Sequence, residues 1–139
     1  KSLNIDVKLI SDGDVSGALL VTDEKHNIDL FLGTGGGPEG VLAASALDTY
    51  GCGFQGRFIF DTDKLKRRAN EMGINNLNKK YKLDEIVKGD SLFCATGITK
   101  GDLVNGLKLK DNKMITNTLI THKSQNIKKI VIGEIDIKK

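Results

Sequence analysis

Short apolar runs and helix-like spacings alternate along the first half of the chain. The runs over residues 7–10 and 27–32 predict two buried strands. Between them, apolar residues at helical spacing predict a short helix over residues 15–21, which Ser11 or Asp14 could cap. Strands that alternate with helices in this way predict a layered α/β domain.

A longer helix is predicted after a glycine-rich loop that covers residues 33–40. Pro38 suits the first turn of this helix, because its missing N–H would have no partner there in any case. The compact apolar residues 41–47 can pack closely on a sheet, and Gly51 or Gly53 can end the helix in a left-handed conformation.

The second half of the chain combines one helix with a series of strands. An apolar run at residues 58–60 is followed by capping residues 61–63 and by a helical spacing that Gly73 closes. The polar residues 75–82 are predicted to be a surface connection or an extension of that helix. Four strands are then predicted, the last three antiparallel and joined by turns at residues 111–113 and 124–126: residues 91–95, 107–114, 115–122 and 127–135.

Composition narrows the class of protein. The 139 residues suit one domain, residues 1–139, and a start directly on a strand pattern suggests a fragment or a processed chain. A net charge of +3, dispersed basic residues and the absence of Trp argue against nucleic-acid binding as the main function.

No apolar run approaches the ~18 residues of a membrane span, so we expect a cytoplasmic protein. Cys52 and Cys94 lack CxxC spacing and are predicted to be reduced, buried thiols.

The glycines are the strongest local signal, because ten of the sixteen fall between Gly13 and Gly56. The loop over residues 33–40 lies between a predicted strand and a helix start, where free N–H groups and the helix dipole favour an anion such as phosphate. Glycine also lets the backbone approach a ligand closely. The loop lacks the Lys-Ser/Thr of a Walker motif and does not match a dinucleotide fingerprint. A purely structural turn is the alternative.

Glu39 adds a carboxylate to the first turn of the helix that follows this loop. One interpretation is the ordinary preference for an acid at a helix start. The other is a ligand for Mg²⁺ or Mn²⁺, because a carboxylate beside a phosphate repels it unless a cation lies between them.

Asp12 and Asp14 flank Gly13 where the first predicted strand ends, the position at which open α/β sheets bind ligands. They could form a turn and a helix cap, accept hydrogen bonds from sugar hydroxyls or, less favourably, bind a metal. Residues 96–102 form a second segment of glycines and hydroxyls, for which a structural turn is the preferred interpretation. His26 and His122 appear isolated in the sequence, so neither is assigned a catalytic role.

Three stretches together resemble the class II fructose-1,6-bisphosphatases, the bacterial family that includes the fructose-1,6-/sedoheptulose-1,7-bisphosphatases. They are residues 9–15 (LISDGDV), residues 33–41 (GTGGGPEGV) and residues 95–103 (ATGITKGDL). The resemblance covers essentially the whole chain, and the glycine loop with its Pro-Glu-Gly is its most specific piece.

This resemblance implies the layered αβαβα fold of the lithium-sensitive sugar phosphatases and hydrolysis of the 1-phosphate of fructose 1,6-bisphosphate, a gluconeogenic step, with Mn²⁺ or Mg²⁺. Glu39 matches the family's C-terminal metal ligand. Asp12, Gly13 and Asp14 match its substrate-binding Asp-Gly-Asp, and Gly36 matches a substrate-contacting glycine.

The family's other acidic ligands and its catalytic residues are expected in an N-terminal half that this sequence does not contain. The resemblance therefore implies a C-terminal half that is inactive alone and that needs the N-terminal half and, we expect, a homo-oligomer. The alternative is a non-catalytic sugar-phosphate-binding or assembly module of the same fold.

Overall fold

The computed structural model describes residues 3–137. Within them the chain forms four α-helices and six β-strands, together with two single turns of 3-10 helix. The helices are α1 (Asp14–Leu19), α2 (Gly37–Tyr50), α3 (Asp63–Glu71) and α4 (Leu83–Ile86). The strands are β1 (Gln55–Gly56), β2 (Tyr81–Lys82), β3 (Leu92–Thr96), β4 (Lys108–Lys110), β5 (Lys113–His122) and β6 (Ile127–Asp136).

Helix α2 forms where the sequence predicts it. It begins after Gly36, carries Pro38 in its first turn and ends at Gly51, whose φ of 71° is left-handed. Left-handed φ costs a glycine little, because it has no Cβ. The predicted helix over residues 15–21 is also confirmed, as α1 followed by a 3-10 turn at Leu20–Thr22.

The capping prediction for α1 is wrong. The N-cap residue is Gly13, in the left-handed region at φ 81°, and no side chain caps the helix. The Asp12 carboxylate instead accepts a hydrogen bond from the backbone N–H of Gly13 at 2.7 Å. Because Gly13 turns the chain so sharply, Asp14 is already the first helical residue and cannot fold back to cap it.

The last strands are antiparallel, as the sequence predicts, and β5 lies at the centre of their sheet. The predicted strand over residues 107–114 has the wrong extent, because the turn at residues 111–112 ends β4 at Lys110 and residues 113–114 belong to β5. One edge of β5 pairs with β6 over all ten residues, from Lys113↔Asp136 to His122↔Ile127. Its other edge pairs with β3 at one end and with β4 at the other. The tight turn between β4 and β5 uses Asp111 and Asn112, whose φ values of 50° and 60° match a two-residue hairpin turn.

The core lies between the helices and one face of this sheet. Leu19 of α1, Leu47 of α2, Phe93 of β3 and Leu119 of β5 are all buried. Ala43, Ala44 and Ala46 bring the α2 backbone close to its neighbours, since each is at most 6% exposed. The apolar residues of α2 therefore fix the helix on the sheet as the sequence predicts.

The two strands predicted over residues 7–10 and 27–32 do not form. None of these residues belongs to a helix or a strand, and Asn27 only follows a single 3-10 turn. Their apolar side chains are largely exposed, with Leu9 at 89% and Leu32 at 84%. A strand needs a neighbour to accept and donate its ladder hydrogen bonds. No described residue pairs with either segment.

The middle of the chain is mostly as predicted. Thr62 caps α3, its hydroxyl accepting from the backbone N–H of Leu65 at 3.3 Å, and Gly73 follows the helix at φ 84°. The polar segment 75–82 is a surface connection that ends in β2, and β2 pairs with β1 in a short ladder. The sequence did not predict α4, a single turn.

The mixed helix and sheet content confirms the α/β class. Within the described residues, α2 packs on one face of the four-stranded sheet and α1 packs against α2. The five-layer αβαβα arrangement stays a prediction.

Candidate functional site

The predicted site residues converge on one cavity. Asp12, Gly13 and Asp14 lie at the start of α1, and Gly36 and Glu39 lie at the start of α2. All five line a single cavity of about 550 Å³. Packing of α1 against α2 brings the two helix starts together, although the two motifs lie more than twenty residues apart in the sequence.

Gly13 determines how the Asp-Gly-Asp motif faces the cavity. Its left-handed backbone reverses the chain between Asp12 and Asp14. A Cβ at this position would also meet the Ser16 hydroxyl at 2.7 Å. That hydroxyl donates to the Gly13 carbonyl at 2.8 Å. The motif is therefore a rigid turn that presents both carboxylates at the cavity wall.

The glycine loop supports two of these carboxylates directly. A side chain on Gly35 would collide with the Asp14 carboxylate, and one on Gly36 would collide with the Glu39 carboxylate. The carboxylates of Asp14 and Glu39 thus rest against consecutive residues of the loop. The missing Cβ of glycine leaves room for this close approach of the side chains to the backbone.

No salt bridge within the described chain neutralises these carboxylates. Asp12, Asp14 and Glu39 take part in none of the salt bridges among residues 3–137. Three such acids around one cavity repel one another and favour a bound cation or hydroxyl donors.

The fit to a metal ion is partial. Carboxylate oxygens are the ligands that Mg²⁺ and Mn²⁺ prefer. Among residues 3–137, however, no group of three or more His, Cys, Asp or Glu side chains lies close enough to hold a metal ion. Glu39 and the described residues around it thus do not by themselves form a complete metal site.

The segment 96–102 reaches the site as well. Lys100, Gly101 and Asp102 line a second cavity of about 290 Å³, and Asp12 and Ser16 line both cavities. The preferred interpretation as a structural turn is also supported, because a side chain on Gly97 would collide with the carbonyl of Asn105. The segment is a tight turn that carries a cation, Lys100, to the edge of the site.

The description of His122 as isolated is wrong. Its Nε2 lies 2.7 Å from the Asp90 carboxylate and 3.4 Å from the Ser124 hydroxyl. The Ser124 hydroxyl donates to Asp90 at 2.5 Å. The cluster does not have the order of a nucleophilic triad, because the short hydrogen bond of the Ser124 hydroxyl goes to the Asp90 carboxylate and not to His122. Sequence separation of more than thirty residues hid the contact with Asp90.

Hydrogen bonds to Asp90 hold the pKa of its carboxyl at about 2, mainly those from the Ser124 hydroxyl and backbone N–H, with a smaller contribution from His122. Asp48 is a different case. Burial acts to raise the pKa of its carboxyl, but hydrogen bonds from Lys123 and Ser91 outweigh burial, so the pKa is lowered. Asp90 joins the start of β3 to the end of β5 and the β5–β6 turn, and Asp48 joins both regions to α2.

The two cysteines are free, but neither is buried as the sequence suggested. Cys52 is half-buried after α2. Cys94 is exposed, because it points to the side of the sheet opposite α2. None of the described helices is long and apolar enough to cross a membrane.

Comparison with known proteins identifies related sequences. The profile of a family described as "Bacterial fructose-1,6-bisphosphatase, glpX-encoded" matches residues 1–134. D-fructose 1,6-bisphosphatase class 2/sedoheptulose 1,7-bisphosphatase of Synechococcus sp. (strain JA-3-3Ab) is 38% identical over 127 residues, which cover 82% of this chain and 37% of that protein. Fructose-1,6-bisphosphatase class 2 of Haemophilus influenzae is 41% identical over 144 aligned positions, 93% of this chain and 43% of that protein. The chain thus spans about two-fifths of the length of these relatives.

Proposed function

This chain belongs to the bacterial class 2 fructose-1,6-bisphosphatase family, and on that premise we propose that it supplies part of the active site of a metal-dependent sugar bisphosphatase. The reaction is hydrolysis of the 1-phosphate of fructose 1,6-bisphosphate to fructose 6-phosphate and phosphate, a step of gluconeogenesis in the cytoplasm. The observation that carries the proposal is the convergence of Asp12, Gly13, Asp14, Gly36 and Glu39 on one cavity.

The Asp-Gly-Asp turn is suited to hold the sugar. Both carboxylates are hydrogen-bond acceptors only, and a sugar presents several hydroxyl donors. Asp12 keeps one oxygen bonded to the Gly13 N–H, so its carboxylate is oriented before substrate arrives. Asp14 and Gly36 line the same cavity, which allows the loop backbone to approach the substrate.

Glu39 is proposed as a metal ligand. A bound Mn²⁺ or Mg²⁺ would neutralise phosphate charge and activate a water molecule. The Glu39 carboxylate lies against Gly36 of the glycine loop, and Glu39 lines the same cavity as Asp12 and Asp14. The remaining ligands and the catalytic groups are proposed to come from the family's N-terminal half, in a protein that we expect to form a homo-oligomer.

A chimera tests this proposal. The chain replaces the matching region of the Haemophilus influenzae relative, and phosphate release from fructose 1,6-bisphosphate is measured with Mn²⁺ for the chimera and for the chain alone. We expect metal-dependent turnover by the chimera and none by the chain alone. A folded chimera without turnover would contradict the proposed function, and turnover by the chain alone would contradict the division of the site.

A non-catalytic module is the second candidate, and one observation favours it. The described residues lack a complete metal-binding group, so this chain alone can bind a sugar phosphate without hydrolysing it. This candidate is supported if the folded chimera binds fructose 6-phosphate but does not hydrolyse fructose 1,6-bisphosphate.

A further inference from the structure

Lys100 is a cation beside the candidate site to which the proposed function gives no role. It lines the second cavity, of about 290 Å³, which shares Asp12 and Ser16 with the larger one. Of the described residues that line the two cavities, Lys100 alone carries a positive charge. It takes part in none of the salt bridges among residues 3–137. The described chain therefore leaves its ammonium available to a ligand.

The loop that carries Lys100 is fixed by its own backbone. At the base of the loop, the Gly97 N–H donates to the Asn117 carbonyl of β5 at 3.0 Å. Across the loop, a Cβ on Gly106 would lie only 2.6 Å from the backbone nitrogen of Lys100. The two sides of the loop thus pack together with no room for a side chain at residue 106. Packing of this kind holds the Lys100 backbone beside the cavity.

The acid nearest to Lys100 in the sequence does not neutralise it. Asp102 also lines the second cavity, but its carboxylate lies 3.5 Å from the Lys8 ammonium. This exposed ion pair contributes little to stability. It does give Asp102 a partner other than Lys100, and it joins the loop to the segment that leads to Asp12. Lys100 and Asp12 are therefore opposite charges on the wall of one cavity, without an ion pair between them.

The Asp12 carboxylate has one oxygen left for a ligand. Its Oδ1 accepts from the Gly13 N–H at 2.7 Å, and within residues 3–137 its Oδ2 has no hydrogen-bond partner. A carboxylate only accepts hydrogen bonds and an ammonium only donates them, whereas a hydroxyl does both. A hydroxyl between these two side chains can donate to Asp12 and accept from Lys100 at the same time. Hydrogen bonds that are linked in this way strengthen one another.

We propose that a sugar hydroxyl of the substrate bridges Asp12 and Lys100, which makes Lys100 a further substrate-binding residue. The inference rests on the proposed function, because it takes the ligand of the larger cavity to be a sugar phosphate. It extends the sugar site from the first cavity into the second. It also supplies a hydrogen-bond donor to a site whose charged groups are otherwise the acceptor carboxylates of Asp12, Asp14 and Glu39.

A double-mutant cycle on the chimera tests the bridge. Calorimetry measures the Kd of fructose 6-phosphate for the parent chimera, Lys100→Met, Asp12→Asn and the double variant. Methionine keeps an apolar stem and removes the ammonium, and asparagine keeps the shape of Asp12 and removes its charge. We expect each single change to raise Kd at least ~10-fold, as loss of a hydrogen bond to a charged group does. The double variant should bind at most ~3-fold more weakly than the weaker single variant, because both side chains hold the same hydroxyl.

The control for Lys100 is Lys80→Met, which removes an exposed lysine that lines neither cavity and should leave Kd unchanged. An unchanged Kd for Lys100→Met would overturn the proposal. A double variant whose Kd rises by the product of the two single changes would also overturn it, because Lys100 would then act independently of Asp12, for example on the phosphate.

The same four proteins without ligand separate the bridge from a direct ion pair. Since no salt bridge joins Lys100 to Asp12 in the described chain, the two changes should have additive effects on the urea midpoint. A coupling of the same size in the unliganded protein would mean that the two side chains pair directly, and would overturn the proposal.

A binding measurement keeps this inference distinct from the proposed function. A chimera that binds fructose 6-phosphate with the expected coupling but does not hydrolyse the bisphosphate would contradict only the proposed hydrolysis. An active chimera in which Lys100→Met binds normally would contradict only the bridge. A folded chimera that does not bind fructose 6-phosphate would overturn both.

Discussion

Single residues differ in whether their charge is already neutralised. The Asp48 carboxylate lies 2.7 Å from the Lys123 ammonium, and Asp90 accepts three hydrogen bonds from Ser124 and His122. Asp12 and Glu39 have no such cation within the described chain. An acid with a counter-charge contributes to the fold, whereas acids that share a cavity without one are available to a ligand.

Replacement of Glu39 tests the metal assignment. In the chimera, Glu39→Gln keeps the shape of the side chain and removes its charge. We expect a higher Mn²⁺ concentration for half-maximal activity and a loss of at least ~100-fold in kcat, which corresponds to about 2.7 kcal/mol of transition-state stabilisation. Glu71→Gln, at the exposed end of α3, is the control. Normal kcat and an unchanged Mn²⁺ titration would mean that Glu39 is only a favourable helix-start charge.

Replacement of Asp14 tests the sugar site. Asp14→Ala in the chimera should raise KM for fructose 1,6-bisphosphate and lower kcat/KM, because a hydroxyl acceptor is lost. Asp14 is exposed, so the free energy of unfolding should fall by less than the ~2 kcal/mol of a lost core contact. Unchanged kinetics with a large loss of stability would identify the motif as a structural turn.

Asp90 predicts a pH dependence of stability. The pKa of its carboxyl is about 2 in the folded chain, below the reference value of 3.8. A lowered pKa stabilises the fold above the unfolded value, so this contribution is present above about pH 4 and is lost as the pH falls towards 2. Urea midpoints of the wild type and Asp90→Asn should differ at neutral pH and converge near pH 2. A constant difference at all pH values would contradict the shift. Asp61→Asn, with no hydrogen bond or salt bridge in the described chain, is the control.

At the scale of elements, a helix or strand could be predicted when the interactions that determine it are close together in the sequence. Helix α2 depends on Pro38 and Gly51, which are local signals, and the antiparallel strands depend on alternation and turns. The cap of α1 could not be predicted, because the left-handed φ of Gly13 moves the helix start by one residue. The residues that line the candidate cavity could largely be named from the sequence, since glycine loops and acids at helix starts are also local patterns.

Contacts between distant residues could not be read from the sequence. Lys100 meets the cavity of Asp12 only because the loop after β3 folds back towards α1. The cluster of Asp90 and His122 depends on the register of β3 on β5. The first contact depends on how a loop folds and the second on strand pairing, and spacing along the chain gives no signal for either.

The two segments that failed to form strands give a prediction about backbone protection. Residues 3–10 and 28–32 make no backbone hydrogen bond within the described chain, so their amides should exchange rapidly in the chain alone. If the remaining family fold supplies partner strands, the same amides should become protected in the chimera. Hydrogen exchange with peptide-level mass spectrometry measures this, and the amides of α2 are the internal reference. Rapid exchange of both segments in a folded, active chimera would contradict it.

At the scale of the whole molecule, metal binding and stability should be linked only when the site is complete. A ligand that binds the folded state raises stability in proportion to its occupancy. Since the described residues hold no complete metal-binding group, millimolar Mn²⁺ should leave the Tm of the chain alone unchanged and raise that of the chimera. Calorimetric Tm values with Mn²⁺ and with EDTA measure the difference. An equal rise in both proteins would mean that this chain binds the metal unaided.

The long pairing of β5 with β6 also predicts an order in which the molecule folds. Their hairpin closes over a four-residue turn, whereas the Thr49–Thr121 and Asp48–Lys123 contacts close loops of 72 and 75 residues. Short loops close faster, so the hairpin forms while both of its faces are still open to solvent. Helix α2 must then select one of two apolar faces. The buried Thr49–Thr121 hydrogen bond and the Asp48–Lys123 ion pair form only when α2 packs on the native face of the hairpin. Their loss should therefore allow α2 to pack on the opposite face as well.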